Sequence, residues 1–345
     1  MNLVEVLNTI RDNATAEYQS RIPEATRDNL EAIRYAMIDG DNIMVANEFM
    51  STLLNKLVKS VVHTKLFTNP LKGLKKGTKP LGDTVEEIYT NFIKGSVFDA
   101  SGANLLSRKL PDTKTVYHRM NYKHQYKITV SRETLTKAFA SYDALESYVT
   151  SLINTLYNSA ELDEFLNIKE LIKSAFEKGA MKKVKIADPL ASEANGKDFI
   201  KTIKTISGLM VFPSTEFNGY LTAQKTDKLP ITTFSRKDEQ ILILDTATDT
   251  SVSVDVLASL FNMTVAEFND TRKIVIDTFP TIAEGDVKAS LVDEAFFQIF
   301  DDLFTITSFN NGEGLYTNYY LNVWQTLAYS ILVNAVGFYV EKVTG

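Results

Sequence analysis

Residues 115–131 alternate between two kinds of side chain. Apolar residues, aromatic residues and two histidines occupy the even positions, whereas polar or charged residues occupy most of the odd positions. This period of two predicts a β-strand with one packed face and one solvated face. At about 3.3 Å per residue, such a strand would extend about 50 Å, far beyond ordinary strands, so we expect it to project from its own domain.

The strand predicted to pair with this segment covers residues 85–97, and the connection contains the polar stretch 99–104 and Pro111. The two segments together predict a long two-stranded hairpin. A projecting hairpin exposes an apolar face and unpaired main-chain groups, which either aggregate or meet a specific partner. We therefore expect this chain to assemble with copies of itself, because contacts between different patches of identical subunits generate rings and arrays.

Helices are predicted on both sides of the hairpin. Residues 1–65 contain amphipathic segments separated by polar turns, at 3–10, 29–38 and 43–62. This pattern indicates an arm rather than a compact domain. Residues 131–178 contain neither glycine nor proline and repeat apolar residues at helical spacing, so they predict one long helix that stops near Gly179.

The rest of the chain predicts an α/β lobe followed by aromatic strands. In the lobe, a helix, a strand, a second helix and a second strand are predicted at 197–207, 240–244, 254–261 and 273–276. After the lobe, residues 296–309 predict a strand, residues 310–314 a turn, and residues 315–340 a returning strand. The predicted fold class is α+β.

Most residue patterns that support catalysis are missing from the sequence. There is no cysteine, no phosphate-binding glycine loop and no serine-hydrolase signature. The histidines His63, His118 and His124 have no neighbour at metal-ligand spacing, and the last two would lie about 20 Å apart along one strand. No cofactor or metal is therefore predicted.

Two acidic residues keep an enzymatic alternative open. Asp245 and Asp277 each follow a short apolar strand of the lobe, and acids at the ends of buried strands often hold a magnesium ion. Because no phosphate-binding loop or partnering lysine accompanies them, we interpret both as strand ends. A magnesium-dependent α/β enzyme that uses these two residues remains the alternative.

The charge balance opposes a chain that grips nucleic acid over its whole surface. Lysine and arginine number 37 against 43 aspartates and glutamates, which gives a net charge of -6. The C-terminal aromatic residues lack interleaved basic residues, so core and subunit contacts are predicted for them. Two lysine groups are candidates for contact with DNA or acidic neighbours, with a solvated face as the default interpretation: Lys72, Lys75, Lys76 and Lys79, and Lys182, Lys183 and Lys185.

Neither a secretion signal nor a membrane span is predicted. The N-terminal segment contains acids and has no basic start followed by a long apolar run. The longest apolar stretch, 327–340, has about 14 residues, whereas a membrane span needs about 20.

Three stretches near the C-terminus carry a family resemblance. Residues 293–304 read DEAFFQIFDDLF, residues 322–327 read NVWQTL, and residues 334–338 read NAVGF. With the order of helical arm, hairpin, long helix, α/β lobe and returning strands, they resemble the major capsid proteins of tailed bacteriophages with the Hong Kong 97-type fold. The ending is similar to that of short-tailed, small-genome phages, and the order of elements matches over nearly the whole length.

The resemblance implies a division into five segments. They are an N-terminal arm at 1–65, an E-loop with flanking strands at 66–131, a P domain with its spine helix at 132–198, an A domain at 199–290, and returning P-domain strands at 291–345. Some relatives carry an immunoglobulin-like domain after this point, and we expect none here, since the sequence stops at Gly345.

The function implied is that of a non-enzymatic major capsid protein. Copies would form pentamers and hexamers of an icosahedral or prolate shell around double-stranded phage DNA, which they would touch weakly and without specificity. Portal and scaffolding proteins are further implied partners, and no membrane is. The implied location is the virion, after assembly in the host bacterial cytoplasm. An encapsulin-like nanocompartment shell protein shares the fold and remains an alternative.

Contacts between subunits are predicted at the hairpin strand and in the C-terminal strands. The residues are Tyr117, Arg119, Tyr122, Lys123 and Tyr126, with Phe296, Phe300 and Trp324. Some members of the family crosslink a hairpin lysine to a neighbour's asparagine. No pattern selects such a pair from the available residues, so no crosslink is predicted: Lys94, Lys109 and Lys114, with Asn318 and Asn322.

Overall fold

A computed structural model of the chain describes residues 3–39, 43–60, 67–98, 100–102, 106–139, 142–224, 229–251 and 272–342. The α-helices are α1 (Leu3–Asn13), α2 (Ala16–Arg21), α3 (Leu30–Arg34), α4 (Ile43–Ser60), α5 (Arg132–Ala138), α6 (Tyr142–Glu177), α7 (Glu193–Met210), α8 (Tyr220–Gln224) and α9 (Thr246–Ser251). The strands are β1 (Lys75–Thr78), β2 (Val85–Thr90), β3 (Thr113–His118), β4 (Tyr122–Ser131), β5 (Lys182–Ile186), β6 (Gln240–Asp245), β7 (Lys273–Ile276), β8 (Gly285–Asp293), β9 (Phe297–Asn311), β10 (Tyr316–Tyr329) and β11 (Ala335–Glu341).

The chain forms two compact units, each assembled from several segments. The first unit contains Met1–Asn69, Asn121–Glu164 and Asp301–Gln325. The second unit contains Pro70–Met120, Phe165–Phe300 and Thr326–Gly345. The five-segment division implied by the family resemblance follows the chain, whereas these units group segments that are distant in sequence. The five-segment division therefore stays a prediction.

In the first unit, the N-terminal helices pack against one another. Ile10, Ile33 and Phe49, from α1, α3 and α4, are fully buried. The hydroxyl of Thr15, which caps α2, donates to Glu48 of α4 at 2.9 Å. The amphipathic faces of these helices thus cover each other, a pairing that periodicity alone does not reveal, and the assignment of the segment as an arm stays a prediction.

The predicted long helix is present but interrupted. Its first residues form α5, capped by Ser131, and α6 follows with 36 residues, about 54 Å at 1.5 Å per residue. The predicted stop is confirmed: Gly179 has a φ of 75°, and the amide of Ala180 donates to the carbonyl of Ala175 at 2.8 Å. A Cβ at Gly179 would lie 2.5 Å from Thr222, so only glycine fits there.

The alternating segment 115–131 forms two strands, which corrects the prediction of one strand about 50 Å long. β3 ends at His118 and pairs with β2, antiparallel, whereas β4 begins at Tyr122 and pairs antiparallel with β10. At the break, the amide of Asn121 donates to Gln325. Alternation persists through the break because each strand has one packed face, and the pattern does not record a change of partner.

In the second unit, the predicted lobe is a five-stranded sheet in the order β5-β11-β8-β6-β7. β6 and β7 occur where they were predicted and run parallel, and α7 covers the predicted helix 197–207. Side chains such as Phe199, Leu242 and Phe338 form the lobe's core. The predicted helix 254–261 lies outside the described residues.

The C-terminal strands are more divided than predicted. β9 and β10 are neighbours joined by a turn, as expected. The predicted return 315–340, however, is two strands, since β10 ends at Tyr329 and β11 pairs with β8 and β5 in the lobe. Between them, Ser330 and Asn334 are fully buried, and their backbones bond to Phe296 and Asp293.

Candidate self-association surfaces

The hairpin predicted from the alternating segment consists of a short stem and an exposed tip. The stem is β2 paired with β3, from Val85 opposite His118 to Thr90 opposite Thr113. We use "hairpin tip" for residues 92–110, of which 92–98, 100–102 and 106–110 are described. Every described side chain of the tip is exposed.

The tip carries large apolar side chains in full contact with solvent. The exposed fractions are 94% for Val97, 89% for Phe98, 92% for Leu106 and 83% for Leu110. Exposed apolar clusters of this kind mark surfaces that meet a partner. Lys94, Arg108 and Lys109 lie among them, so the tip is both apolar and cationic in its described part.

Two of the predicted contact residues lie at the outward face of the stem and just beyond it. Tyr117 is 61% exposed, and its hydroxyl donates to Glu86 on the opposing strand at 2.9 Å. This hydrogen bond to a carboxylate raises the pKa of Tyr117. Arg119, just after β3, is exposed. Both side chains remain available to a neighbour.

A second candidate surface is the face shared by β4 and β10 in the first unit. Lys123 lies directly opposite Trp324, with its Nζ 4.7 Å from the ring centroid, and Lys127 lies 5.9 Å from the ring of Tyr320. Besides these contacts between ammonium groups and rings, two side-chain hydrogen bonds join the same strands. Gln125 donates to Asn322 at 2.7 Å, and Thr129 donates to Asn318 at 2.6 Å.

This arrangement was missed in the sequence because the lysines and the aromatic residues are about 200 positions apart. The aromatic strand itself has no basic residue, yet the pairing with β4 places two ammonium groups over its rings. The even/odd alternation of β4 did indicate that Lys123 and Lys127 lie on the face opposite the packed one, but it did not indicate which strand lies beside them.

Other predicted contact residues belong to the subunit's own interior. Phe296 is fully buried and packs edge-to-face on Phe297 at 5.0 Å between centroids. Tyr122 is buried as well. Because neither side chain can reach a neighbour, we withdraw both from the predicted contacts. Phe300 is half-buried and keeps some accessible surface.

Tyr126 is half-buried, and its hydroxyl contacts the helix α6. Its hydroxyl donates to Asp163 at 2.8 Å and lies 3.3 Å from the hydroxyl of Tyr122. Burial and these two hydrogen bonds raise the pKa of Tyr126 far above the ordinary tyrosine value. The side chain fastens β4 to α6, and its role between subunits stays a prediction.

The lysine groups singled out in the sequence are engaged within the subunit. Each lysine of β5 has a carboxylate partner: Lys182 bonds to Glu216 at 2.9 Å, Lys183 to Glu284, and Lys185 to Glu341. In the other group, Lys76 donates to the carbonyl of Glu294 at 2.6 Å and Lys79 to that of Asp83. Lys72 and Lys75 also have partners.

The two candidate magnesium ligands have other partners. The carboxylate of Asp245 accepts the amide of Thr248 at 2.6 Å and so caps α9. Asp277 forms an ion pair with Lys169 at 2.7 Å. Burial is the largest single influence on the pKa of Asp277 and would raise it, but the hydrogen bond and charge of Lys169, together with backbone hydrogen bonds, outweigh burial and lower that pKa. Within the described ranges, no cluster of histidine, aspartate and glutamate has the geometry to hold a metal ion.

A cavity of about 210 Å³ in the first unit also lacks catalytic groups. Its walls are largely apolar, with Met37, Met50 and Leu135 among them, and its charged residue is Arg132. No carboxylate or histidine lines it, so no acid-base pair is available there.

Among the helices that the structure describes, none is long and apolar enough to cross a membrane.

Comparison with known proteins gives consistent matches over nearly the full chain. A sequence model of the Phi29-like phage major capsid protein family matches residues 7–339. The major capsid protein of Bacillus phage PZA is 35% identical over 336 residues, which cover 97% of this chain and 72% of that protein. The major capsid protein of Streptococcus phage Cp-1 is 27% identical over 360 residues, which cover 98% and 94%.

A solved capsid structure of Staphylococcus phage Andhra matches the fold with a TM-score of 0.65 at 14% identity, over 81% of this chain and 86% of that chain. This match confirms the predicted α+β capsid fold of the Hong Kong 97 type. The matches favour a phage capsid over the nanocompartment and the magnesium enzyme. They place the function in a structural family rather than a catalytic one. The chain belongs to the Phi29-like phage major capsid protein family.

Proposed function

We propose that this chain forms pentamers and hexamers of a closed phage head, and that the hairpin tip of each subunit joins it to a neighbour. The observation that carries the proposal is the exposure of Val97, Phe98, Leu106 and Leu110, at 83% or more, in a chain whose lobe has a buried apolar core. Covering such side chains releases about 25 cal/mol per Å² of apolar surface. Repetition of one contact around a shell turns a modest gain into stable assembly.

The tip's charge indicates the kind of surface it meets. Lys94, Arg108 and Lys109 are exposed in the same segment as the apolar side chains, so the complementary patch on a neighbour is apolar with acidic residues beside it. Tyr117 and Arg119 near the stem extend the same contact. Lys123 and Trp324 form a second contact in the first unit, and Phe300 is a separate contact residue in the second unit.

Further partners follow from the role of a phage shell. The packaged double-stranded DNA contacts the inner wall weakly, which is supported by the net charge of -6 and by the ion pairs of the β5 lysines. Portal and scaffolding proteins take part in assembly, which occurs in the host cytoplasm and ends in the virion. The chain has no catalytic role, and no lysine–asparagine crosslink joins its copies.

The test is assembly of the purified full chain, measured by mass photometry and negative-stain microscopy. Wild-type chains should form capsomers or shells. Phe98→Asp should lower the assembled fraction by at least about tenfold, because a buried unpaired charge is costly in every repeated contact.

The matched control is Leu190→Asp, a similar change at an exposed leucine outside the hairpin. It should assemble like the wild type. If Phe98→Asp assembled equally well, the tip would not be the joining surface, and a strictly monomeric wild type would contradict the proposed function itself.

A further inference from the structure

The hairpin is fastened to the lobe by several contacts at the base of its tip, in addition to the hydrogen bond that Ser330 donates to Glu87 lower on the stem. The side-chain amide of Asn91 donates to the carbonyl of Pro230 at 3.0 Å, and its oxygen accepts the amide of Thr232 at 3.1 Å. A single side chain thus satisfies a backbone acceptor and a backbone donor of one segment, as a rung of a β-ladder does. The hydroxyl of Tyr89 donates to the carbonyl of the same Thr232.

An aromatic contact lies directly beside these hydrogen bonds. The ring of Phe92 stacks on that of Phe234, with centroids 6.3 Å apart and planes 24° apart. We call the residues Tyr89, Asn91, Phe92, Pro230, Thr232 and Phe234 the Asn91 clamp.

The lobe's side of the clamp is itself held rigidly. Thr233 exchanges backbone hydrogen bonds of 2.9 and 3.0 Å with Ser214, and Asn218 donates to the carbonyl of Ile231 at 3.0 Å. Ile231 is fully buried, and Ser235 donates to Asp293 at 2.5 Å. The segment that receives Asn91 is therefore part of the lobe's packed structure, not a loose loop.

Asn91 also links the two arms of the hairpin. Its backbone amide donates to the carbonyl of Asp112 at 2.9 Å, and its side chain lies 3.3 Å from the Asp112 carboxylate. Asp112 in turn bonds to Lys114 at 2.5 Å. The two arms of the hairpin are thus joined at Asn91, the same residue that bonds to the lobe.

Beyond the clamp, a small change in the angle of the hairpin displaces its far end by several ångströms. Every described side chain from Phe92 to Phe98 is exposed, and Val97 is about 20 Å from Asn91 along an extended chain. A tilt of about 10° at the clamp would move Val97 by about 3–4 Å at that length. A packed interface does not absorb a displacement of that size.

From this geometry we infer that the Asn91 clamp sets the direction of the hairpin tip, and with it the angle between neighbouring subunits and the curvature of the shell. The inference rests on the proposed role of the tip in joining subunits. Asn91 is then a positioning residue: it need not touch the neighbour, yet it decides where Val97 and Phe98 meet it.

A purely stabilising clamp would behave differently from a directing one. If it only held the lobe together, its loss would lower the melting temperature and leave the shell geometry unchanged. If it directs the tip, its loss should change particle diameter even where the subunit stays folded. Particle diameter is therefore the readout that separates the two roles.

The experiment compares shells assembled from full-length wild type, Asn91→Ala and Phe234→Leu, with diameters measured by cryo-electron microscopy. Loss of two hydrogen bonds should shift the ratio of clamped to unclamped hairpins by about tenfold. We expect at least about a tenfold loss of particles of wild-type diameter, replaced by open sheets and particles of mixed size. Phe234→Tyr keeps the ring contact and should restore wild-type diameters.

The matched control is Asn29→Ala. Asn29 makes an equivalent pair of bonds to backbone, since its oxygen accepts the amide of Thr26 at 2.8 Å and its amide donates to Glu24 at 2.7 Å. It immediately precedes α3 in the first unit and belongs neither to the hairpin nor to the lobe, so its loss should leave particle diameter unchanged. Melting curves of all variants establish that each subunit is folded, and Phe234→Leu carries the test if Asn91→Ala does not fold.

Two outcomes would overturn the inference. One is a set of Asn91→Ala and Phe234→Leu shells with the wild-type diameter distribution. The other is an equal change of diameter in Asn29→Ala, which would make the effect one of general stability. If wild-type chains formed no shells, the proposed function would fail, and the clamp's role would fail with it. If wild-type chains formed shells and the variant shells had the same diameters, the inference about the clamp would fail while the proposed function would stand.

Discussion

The lobe and the hairpin tip, both in the second unit, place their apolar residues in opposite ways. Every residue of β6 is buried, and its central residues Leu242, Ile243 and Leu244 have no exposed surface. In the tip, Val97, Phe98 and Leu106 are almost wholly exposed. Because burial of apolar surface drives both folding and association, the difference supports the proposal that the lobe stabilises the subunit and that the tip joins subunits.

The largest effect should come from the lobe's core. Phe338 is fully buried and packs edge-to-face on Phe199 at 5.9 Å. Phe338→Ala should lower the free energy of unfolding by about 3–5 kcal/mol, from lost burial and a residual cavity. Chemical denaturation of the subunit measures it. A loss below about 1 kcal/mol would contradict the assignment of this sheet as the folding core.

The same type of change in the tip should have the opposite profile. Leu106→Ala removes an exposed side chain, so the free energy of unfolding of the monomer should change by no more than about 0.5 kcal/mol. The assembled fraction should fall, because the lost apolar contact recurs at every subunit. Denaturation and mass photometry of one preparation test both halves, and a destabilised monomer would show that the tip packs within its own subunit.

Two glycine-to-alanine substitutions compare the packing of the lobe and the tip, because each adds a single methyl group. A Cβ at Gly337 in β11 would lie 2.3 Å from the ring of Phe176, whereas a Cβ at Gly95 in the tip would meet nothing within 4 Å. Gly337→Ala should cost about 1–3 kcal/mol through overpacking. Gly95→Ala should be neutral or slightly stabilising, since it restricts the unfolded chain. Equal melting temperatures for the two variants would contradict the difference in packing.

The smallest effect is expected from acid. As pH falls, the hairpin should lose stability before the lobe does. Hydrogen bonds from Lys114 and Asn91 lower the folded pKa of Asp112, so its contribution is present above the unfolded pKa of about 3.9 and is lost as pH falls through the folded pKa. Burial raises the folded pKa of Asp293, so protonation there removes a penalty as pH falls.

Hydrogen exchange measured stepwise below pH 4 should therefore accelerate first at the hairpin arms. Asp112→Asn should make hairpin exchange independent of this pH step. If the lobe opened first in the wild type, the opposite signs assigned to Asp112 and Asp293 would be wrong.

Local sequence signals predicted the elements whose environment is uniform. β6 and β7 are short apolar runs inside one sheet, and Gly179 ends α6 because its backbone conformation demands glycine. The packed and solvated faces of β3 and β4 were also predictable from alternation. In each case the cause lies within a few residues of the effect.

Contacts between residues that are distant in sequence could not be predicted from these local signals. The change of partner between His118 and Tyr122 leaves the alternation intact, and the pairing of Lys123 with Trp324 depends on strand register. The burial of Phe296 was not distinguishable from surface contact, because an aromatic run suits a core and an interface equally. Asn91 lay within the predicted strand 85–97, and nothing in the sequence marked its contacts, since its partners Pro230 and Thr232 lie about 140 residues away.

The most direct test of the account compares hydrogen exchange in unassembled subunits and in closed shells of the same wild-type chain. Residues 92–98 and 106–110 should exchange rapidly in the subunit and become strongly protected in the shell, while β6 should be protected equally in both. Unchanged rapid exchange at the tip in closed shells would contradict the claim that the hairpin tip joins the subunits.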